Sequence, residues 1–556
     1  MIEWNPNMFK DNKFLNCSVV AIAVAFVTCI GFLNVMSMMG VYDIVDGGNY
    51  IAAGVSSLLE NKLMPIGIEY RHFIAGDTNF QSSLYPAPLL QFFLAITSGG
   101  VWGNNVTFSS AALFACIPVF IFNFFFFLTA RKHCKISILG SLGLLSFFNF
   151  TPLAYSIYRP IGEPFLLAAV FVAIFLIFEN RHFWSGATLA IAYFFRVQAL
   201  PFIPSLFFLF IKDKKRLIKY MLGALFFFVL GKLLLFTFGP YSLGGSEKFY
   251  SQAYNNISLN FVDGFIYFVK SRPALLVLFS LNFVILSLCK DDTVKKINLL
   301  CINCFCVMFL FLYCYALFKI KHVPGRYVVY YFPISTLGVA SFCQYFLSNH
   351  GKTHKLMRVL PNFGWGCLAI IVCVYCLGFN LSIIRINLQM VDSDQVFNRL
   401  PVTKDDIVAV TDKSIRSRVY FTFMNRNLVC FQDFKRTKSE KKKPRSIING
   451  PSFFVGADNS EIDYLFVGGL SDSWLKFIEG KDEISDKFGN RFKLVASKVA
   501  KRELSKTIAY KVYSFLCVSF PEEEKNIYSF FRKFDLLPRD FEIDLYHVYK
   551  RVVSGD

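Results

Sequence analysis

Long apolar runs dense in phenylalanine, cut at intervals by short clusters of lysine and arginine, constrain this chain more than any other feature. Phe120 to Leu128 and Leu206 to Phe210 are typical. The 556 residues include 67 Phe, and only 17% are charged; a soluble domain carries about a quarter. Runs of about 20 apolar residues match the hydrocarbon core of a bilayer. Backbone in lipid must satisfy its own hydrogen bonds, so these runs should be helices. The expected fold is a polytopic α-helical membrane protein. Roughly eleven segments qualify by length and polarity. They are about 17–39, 108–130, 136–155, 163–179, 183–196, 198–211, 217–238, 273–289, 297–318, 326–347 and 364–385. The first lacks a small-residue cleavage site and reads as an anchor.

The basic clusters orient the chain. Arg131–Lys135, Lys212–Lys219, Lys290–Lys296 and Lys352–Arg358 all fall on one side of this topology, and the positive-inside rule makes that side cytoplasmic. The loops 40–107, 155–163, 239–272 and 319–326, with the tail, then face outward. The expected location is a multi-pass position in a bacterial inner membrane. Topology also accounts for most of the formal charge of +20, so no nucleic-acid partner is expected. Lys435–Arg445 in the tail reads as a solvated loop. Most of the 15 cysteines lie inside apolar segments and behave as small hydrophobes. Cys301, Cys304 and Cys306 have a metal-like spacing but no second ligand pair. Whether Cys430 and Cys517 pair is left open.

Two regions follow. Residues 1–385 form the transmembrane module, with interfacial helices expected in the 40–107 loop. Residues 386–556 change texture: β-like runs at Asp406–Thr411, Asn427–Phe431 and Tyr464–Gly468 alternate with helical stretches. That alternation indicates a small soluble α/β domain outside the cytoplasm. It holds no glycine-rich nucleotide loop.

Candidate functional residues collect on the outer side. Asp43 and Asp46 sit in Tyr42–Tyr50 just after the first span; Asp46 is either a reactive carboxylate or a helix N-cap. Arg159 and Glu163 flank Pro160-Ile161-Gly162, between the third and fourth spans. Arg159 can grip a phosphate, or it can pair with Glu163 and merely set the turn. Arg196 and Gln198 end the fifth span, where an arginine also snorkels. Lys319-Ile-Lys321-His322-Val-Pro-Gly-Arg326-Tyr327 puts three cations and a histidine where the positive-inside rule does not ask for them. An anionic ligand explains that exception, and phosphate fits best.

The ordered set — Asp46-Gly-Gly-Asn-Tyr50, Tyr85-Pro-Ala-Pro88, Tyr158-Arg159-Pro-Ile-Gly-Glu163, Phe195-Arg196-Val-Gln198, His322-Val-Pro-Gly-Arg326-Tyr327 — resembles the GT-C superfamily of polyprenyl-phosphate-sugar glycosyltransferases. It is similar to the protein mannosyltransferases, the lipid A aminoarabinose transferases and the arabinofuranosyltransferases. The resemblance covers residues 17–385. It implies a lipid-linked sugar phosphate as donor and a hydroxyl of a glycan, lipid or protein as acceptor. It places Asp46 as general base and Arg159, Arg196, Lys321, His322 and Arg326 on the donor phosphate. Tyr50, Tyr85, Tyr158, Gln198 and Tyr327 would line the substrate pocket. Many relatives carry Asp-Glu where this chain has Asp46-Gly47. Asp43 and Glu163 are therefore the candidates for a second carboxylate, no metal ligand is assigned, and a divalent cation stays optional. The rival readings are a transporter or flippase of lipid-linked saccharides and a non-catalytic membrane scaffold. The transporter should show repeat halves or broken midplane helices.

Overall fold

The computed structural model describes residues 13–39, 71–72, 88–97, 113–114, 116–150, 157–158, 162–210, 213–238, 273–315, 330–350, 397, 399–403, 405–411, 419, 423, 428–430, 450–468, 472–502, 508–533 and 541–552. In chain order the elements begin with α1 (Lys13–Met39), β1 (Arg71–His72), α2 (Pro88–Thr97), α3 (Cys116–Leu128), α4 (Ile138–Phe150), α5 (Gly162–Phe178) and α6 (His182–Phe195). There follow α7 (Phe202–Phe207), α8 (Lys214–Phe238), α9 (Pro273–Leu288), α10 (Asp292–Tyr315) and α11 (Tyr331–His350). The remainder is β2 (Val408–Val410), β3 (Leu428–Cys430), α12 (Gly450–Gly456), β4 (Tyr464–Gly468), α13 (Asp472–Ile478), β5 (Glu483–Ser485), β6 (Arg491–Arg502), α14 (Ile508–Ser519), α15 (Glu524–Lys533) and β7 (Phe541–Val552). The chain divides into two compact units: Met1–Val35 with Ala115–Leu235 and Glu247–Cys376, and Met36–Phe114 with Phe236–Ser246 and Leu377–Asp556.

The first unit is helical. Its phenylalanines interlock: Phe122 meets Phe171 at 5.1 Å, and Phe126 meets Phe148 and Phe171 at 5.3 Å each. These edge-on contacts join α3, α4 and α5. Asn180 takes a left-handed conformation (φ 59°) after α5. The Arg181 N–H reaches back to Leu176 O (2.8 Å) and the Asn180 N–H to Ile177 O (3.0 Å). That double bond pattern caps the helix and reverses the chain, so α6 returns along α5. Helices α6 and α8 cross where Gly186 lies on the Tyr220 carbonyl and Gly223 on the Phe183 carbonyl; a Cβ at either glycine would overlap the opposite backbone. Small residues at a crossing allow this approach in membrane bundles.

Helices lie within ten of the eleven expected segments; the eleventh, 364–385, falls outside the described residues. The segment 198–211 is not one helix: short 3-10 turns flank the six-residue α7. Pro201 and Pro204 explain the break. Among the described residues one helix, Lys214–Leu234, is long and apolar enough to cross a membrane by length and composition alone. Its outer face is open: Leu222 is 55%, Leu225 59% and Phe226 57% exposed. Val277, Phe283 and Leu288 are equally open on α9. Contiguous surfaces of this kind suit hydrocarbon, not water.

The second unit is built on one seven-stranded sheet of order β1-β3-β2-β4-β7-β6-β5. β1, β3, β2 and β4 run parallel, while β7, β6 and β5 pair antiparallel. All residues of β2 and β4 are buried, as a central parallel pair requires. Phe454, Trp474, Phe492 and Tyr549 head its core. The three β-like runs read from the tail sequence coincide with β2, β3 and β4. The sequence reading missed the edge strand β1, which comes from the 40–107 loop, and the long β6–β7 ribbon.

Candidate functional site

Among the candidate residues, the structure describes Tyr158, Glu163, Arg196 and Gln198. Asp43, Asp46, Tyr50, Tyr85, Arg159, Lys321, His322, Arg326 and Tyr327 lie outside the described residues.

Glu163 is the second residue of α5, where a carboxylate also meets the positive end of the helix dipole. Arg196 caps the far end of α6 in extended conformation (φ −159°, ψ 122°), its N–H still bonded to Ala192 O at 2.8 Å. Because α5 and α6 are antiparallel, these two ends meet. Arg196 Nη2 donates to Glu163 Oε1 at 2.7 Å, with both residues buried. Gly162 makes the approach possible: a Cβ there would sit 2.6 Å from Arg196 Cδ and 2.7 Å from Phe195 O. Phe165 and Phe195 stack beside the pair at 4.6 Å, nearly coplanar. A buried ion pair gains little net stability, but removing one partner strands a charge. The sequence offered a pairing of Glu163 with Arg159, which lies outside the described residues; the partner described for Glu163 is Arg196. Gln198 follows in a 3-10 turn, half-buried.

Tyr158 is fully buried and anchored by residues not singled out from the sequence. Its hydroxyl bonds Asn149 Oδ1 and donates to Thr28 O at 3.0 Å. Asn149 and Asn123 exchange amide bonds at 3.0 Å, and Asn123 donates to Thr28 Oγ1 at 2.9 Å. This polar knot ties α1, α3 and α4 to the residue next to Arg159. A second knot joins α9, α10 and α11: Asn282 donates to Ser335, and Asn298 donates to Gly338 O at 3.3 Å. Asparagines inside Phe-rich runs are the signal that finds both, since an amide in hydrocarbon needs a partner.

Among the described residues no group of His, Cys, Asp and Glu is arranged to hold a metal ion. Cys301 spends its thiol on Ile334 O at 3.1 Å. Cys517 is a free thiol.

Fold and site together define a helical bundle with hydrocarbon-compatible surfaces, a buried Arg–carboxylate pair at a helix junction, and a mixed α/β sheet unit. No protein family matches the sequence, and no curated protein does. Among solved structures the chain is similar to ArnT from Cupriavidus metallidurans bound to undecaprenyl phosphate, at 10% identity and a TM-score of 0.45. That likeness covers 84% of this chain and 96% of the other. The apo state of the same protein is similar at 9% identity and a TM-score of 0.40, covering 84% and 95%.

Proposed function

We propose that this chain is an integral membrane glycosyltransferase that moves a sugar from a polyprenyl-phosphate donor to an acceptor hydroxyl at the extracytoplasmic face. The observation that carries the reading is Arg196, held by Glu163 at 2.7 Å where α5 begins and α6 ends. An arginine whose carboxylate partner is itself buried is fixed in place, and a guanidinium fixed in place suits a phosphate oxygen.

In the proposed reaction Asp46 takes the proton of the acceptor hydroxyl as its oxygen attacks the anomeric carbon. The bond from that carbon to the phosphate oxygen breaks, and the polyprenyl phosphate leaves with the electron pair. A phosphate is a stable anion, so it needs cations more than a general acid. Arg159, Arg196, Lys321, His322 and Arg326 serve that need, and Glu163 positions Arg196. Tyr50, Tyr85, Tyr158, Gln198 and Tyr327 shape the pocket. One base and no covalent nucleophile give a single displacement with inversion. Removing the base costs about 10²–10⁴-fold in rate. The test is Asp46→Asn in reconstituted membranes, read as sugar transfer and as binding of the polyprenyl phosphate. Lost transfer with binding retained supports the assignment; transfer at the normal rate removes Asp46 from the mechanism.

A further inference from the structure

The antiparallel pair β6–β7 runs from Arg491↔Val552 to Arg502↔Phe541. β5 covers β6 only over Arg491–Lys493, and β4 covers β7 only over Tyr546–Lys550. The far half of the ribbon therefore extends past its neighbouring strands as a two-stranded arm. The chain between β6 and β7 carries α14 and α15, which pack on each other with Tyr513 against Tyr528 at 6.3 Å.

Helix α14 has two faces. Tyr513, Leu516 and Cys517 are half-buried. Lys511, Ser514, Phe515 and Val518, at i, i+3, i+4 and i+7, share the other, exposed face, with Val512 at its edge. Phe515 is 68% and Val518 79% exposed, and Phe520 just beyond is open as well. The exposures of Phe515 and Val518 exceed those of Leu222 and Leu225 on the hydrocarbon-compatible face of α8.

We infer that the open face of α14 lies in the interfacial layer of a phospholipid bilayer, as an in-plane anchor for the sheet unit. The inference rests on the reading of this chain as a membrane protein, which tethers every copy of α14 near a bilayer. Three features choose lipid over a soluble partner. The helix is 12 residues, roughly 18 Å, too short to cross a core of about 30 Å but long enough to lie flat. Tyr510, Tyr513 and Tyr528, residue types that gather at the membrane–water boundary, sit on the same hairpin. Lys511 is exposed at the start of the helix, where its stem can follow the apolar face while the ammonium stays in water. The acidic turn Glu522–Glu524 is exposed and keeps the far end of α14 at the surface. The open face carries Lys511 as its one charge, so attachment is apolar in origin and holds on zwitterionic lipid.

The experiment places the photo-crosslinker p-benzoylphenylalanine at Phe515, at Glu523 in the exposed acidic turn, or at Leu225 of α8, in the full chain in phosphatidylcholine nanodiscs. Adducts are weighed by mass spectrometry. Lipid adducts at Phe515, several-fold above Glu523 and comparable to Leu225, support the anchor. Lipid adducts at Leu225 with none at Phe515 overturn it while the membrane reading stands. Crosslinks from Phe515 to a second copy of the chain overturn it in favour of a self-association surface. Absence of lipid adducts at both positions overturns the membrane reading and the anchor together.

Discussion

Arg196 Nη2 lies 2.7 Å from Glu163 Oε1, across 33 residues of sequence and with both side chains buried. Replacing one member removes this charge-assisted bond from the other in a buried setting. Glu163→Ala should cost about 3–5 kcal/mol, and Glu163→Leu with Arg196→Met should recover most of it. Thermal unfolding in detergent measures both. Transfer activity should stay lost in the double variant, because stability returns and the guanidinium does not.

Asn149 connects Tyr158 to Asn123, and its own amide donates to Leu145 O at 2.7 Å. Asn149→Leu takes the amide partner from Asn123 Oδ1 and from one Asn123 N–H, while the Tyr158 hydroxyl keeps Thr28 O, at about 1–3 kcal/mol. Tyr158→Phe removes one member only, and polar contacts between membrane helices average about 0.6 kcal/mol. Thermal shifts of the two variants should therefore rank Asn149→Leu well above Tyr158→Phe.

Gly186 and Gly223 let α6 and α8 touch backbone to backbone. Gly223→Val forces the helices apart at a point where carbonyls, not flexible side chains, are in the way. The expected cost is about 1–3 kcal/mol or more. Gly456, with open space around its Cα, is the control, and Gly456→Ala should leave the unfolding temperature nearly unchanged.

Asp486 ties two loops of the sheet unit together. Burial pushes its carboxyl upward, but bonds from Asn490 and Asn459, side chain and backbone, outweigh burial and hold it below the usual carboxylate value. A depressed folded value means the stabilisation is present above the unfolded value of about 3.9 and is lost as pH falls through the folded one. Wild-type unfolding should steepen below about pH 4. Asp486→Ala should lower stability at pH 7 by about 1–3 kcal/mol and flatten that acid limb, as followed by urea titration against pH.

The sequence marked Glu163 and Arg196 separately; it did not pair them. Glu163 and Arg196 each stood out as ionisable groups beside apolar runs, 33 residues apart, and no local pattern joins them. Asn123 and Asn149 passed unnoticed because a single amide in a run of phenylalanines looks incidental until a second one meets it. The short β6-flanked helices read only as helical stretches, and their open face has no signature without a list of what covers the other one.

Composition and local pattern alone determined the helical bundle, the change of texture near residue 386 and the strands β2, β3 and β4. These follow from the solubility of each segment and from side-chain periods within a few residues. Tertiary structure decided that Arg196 answers Glu163, that Gly186 and Gly223 mark a crossing, and that Arg71–His72 edges the tail's sheet. The physical reason is the same in each case: these contacts depend on where a chain reversal delivers distant residues, as the Asn180 turn delivers α6 back along α5, and no local propensity encodes that meeting.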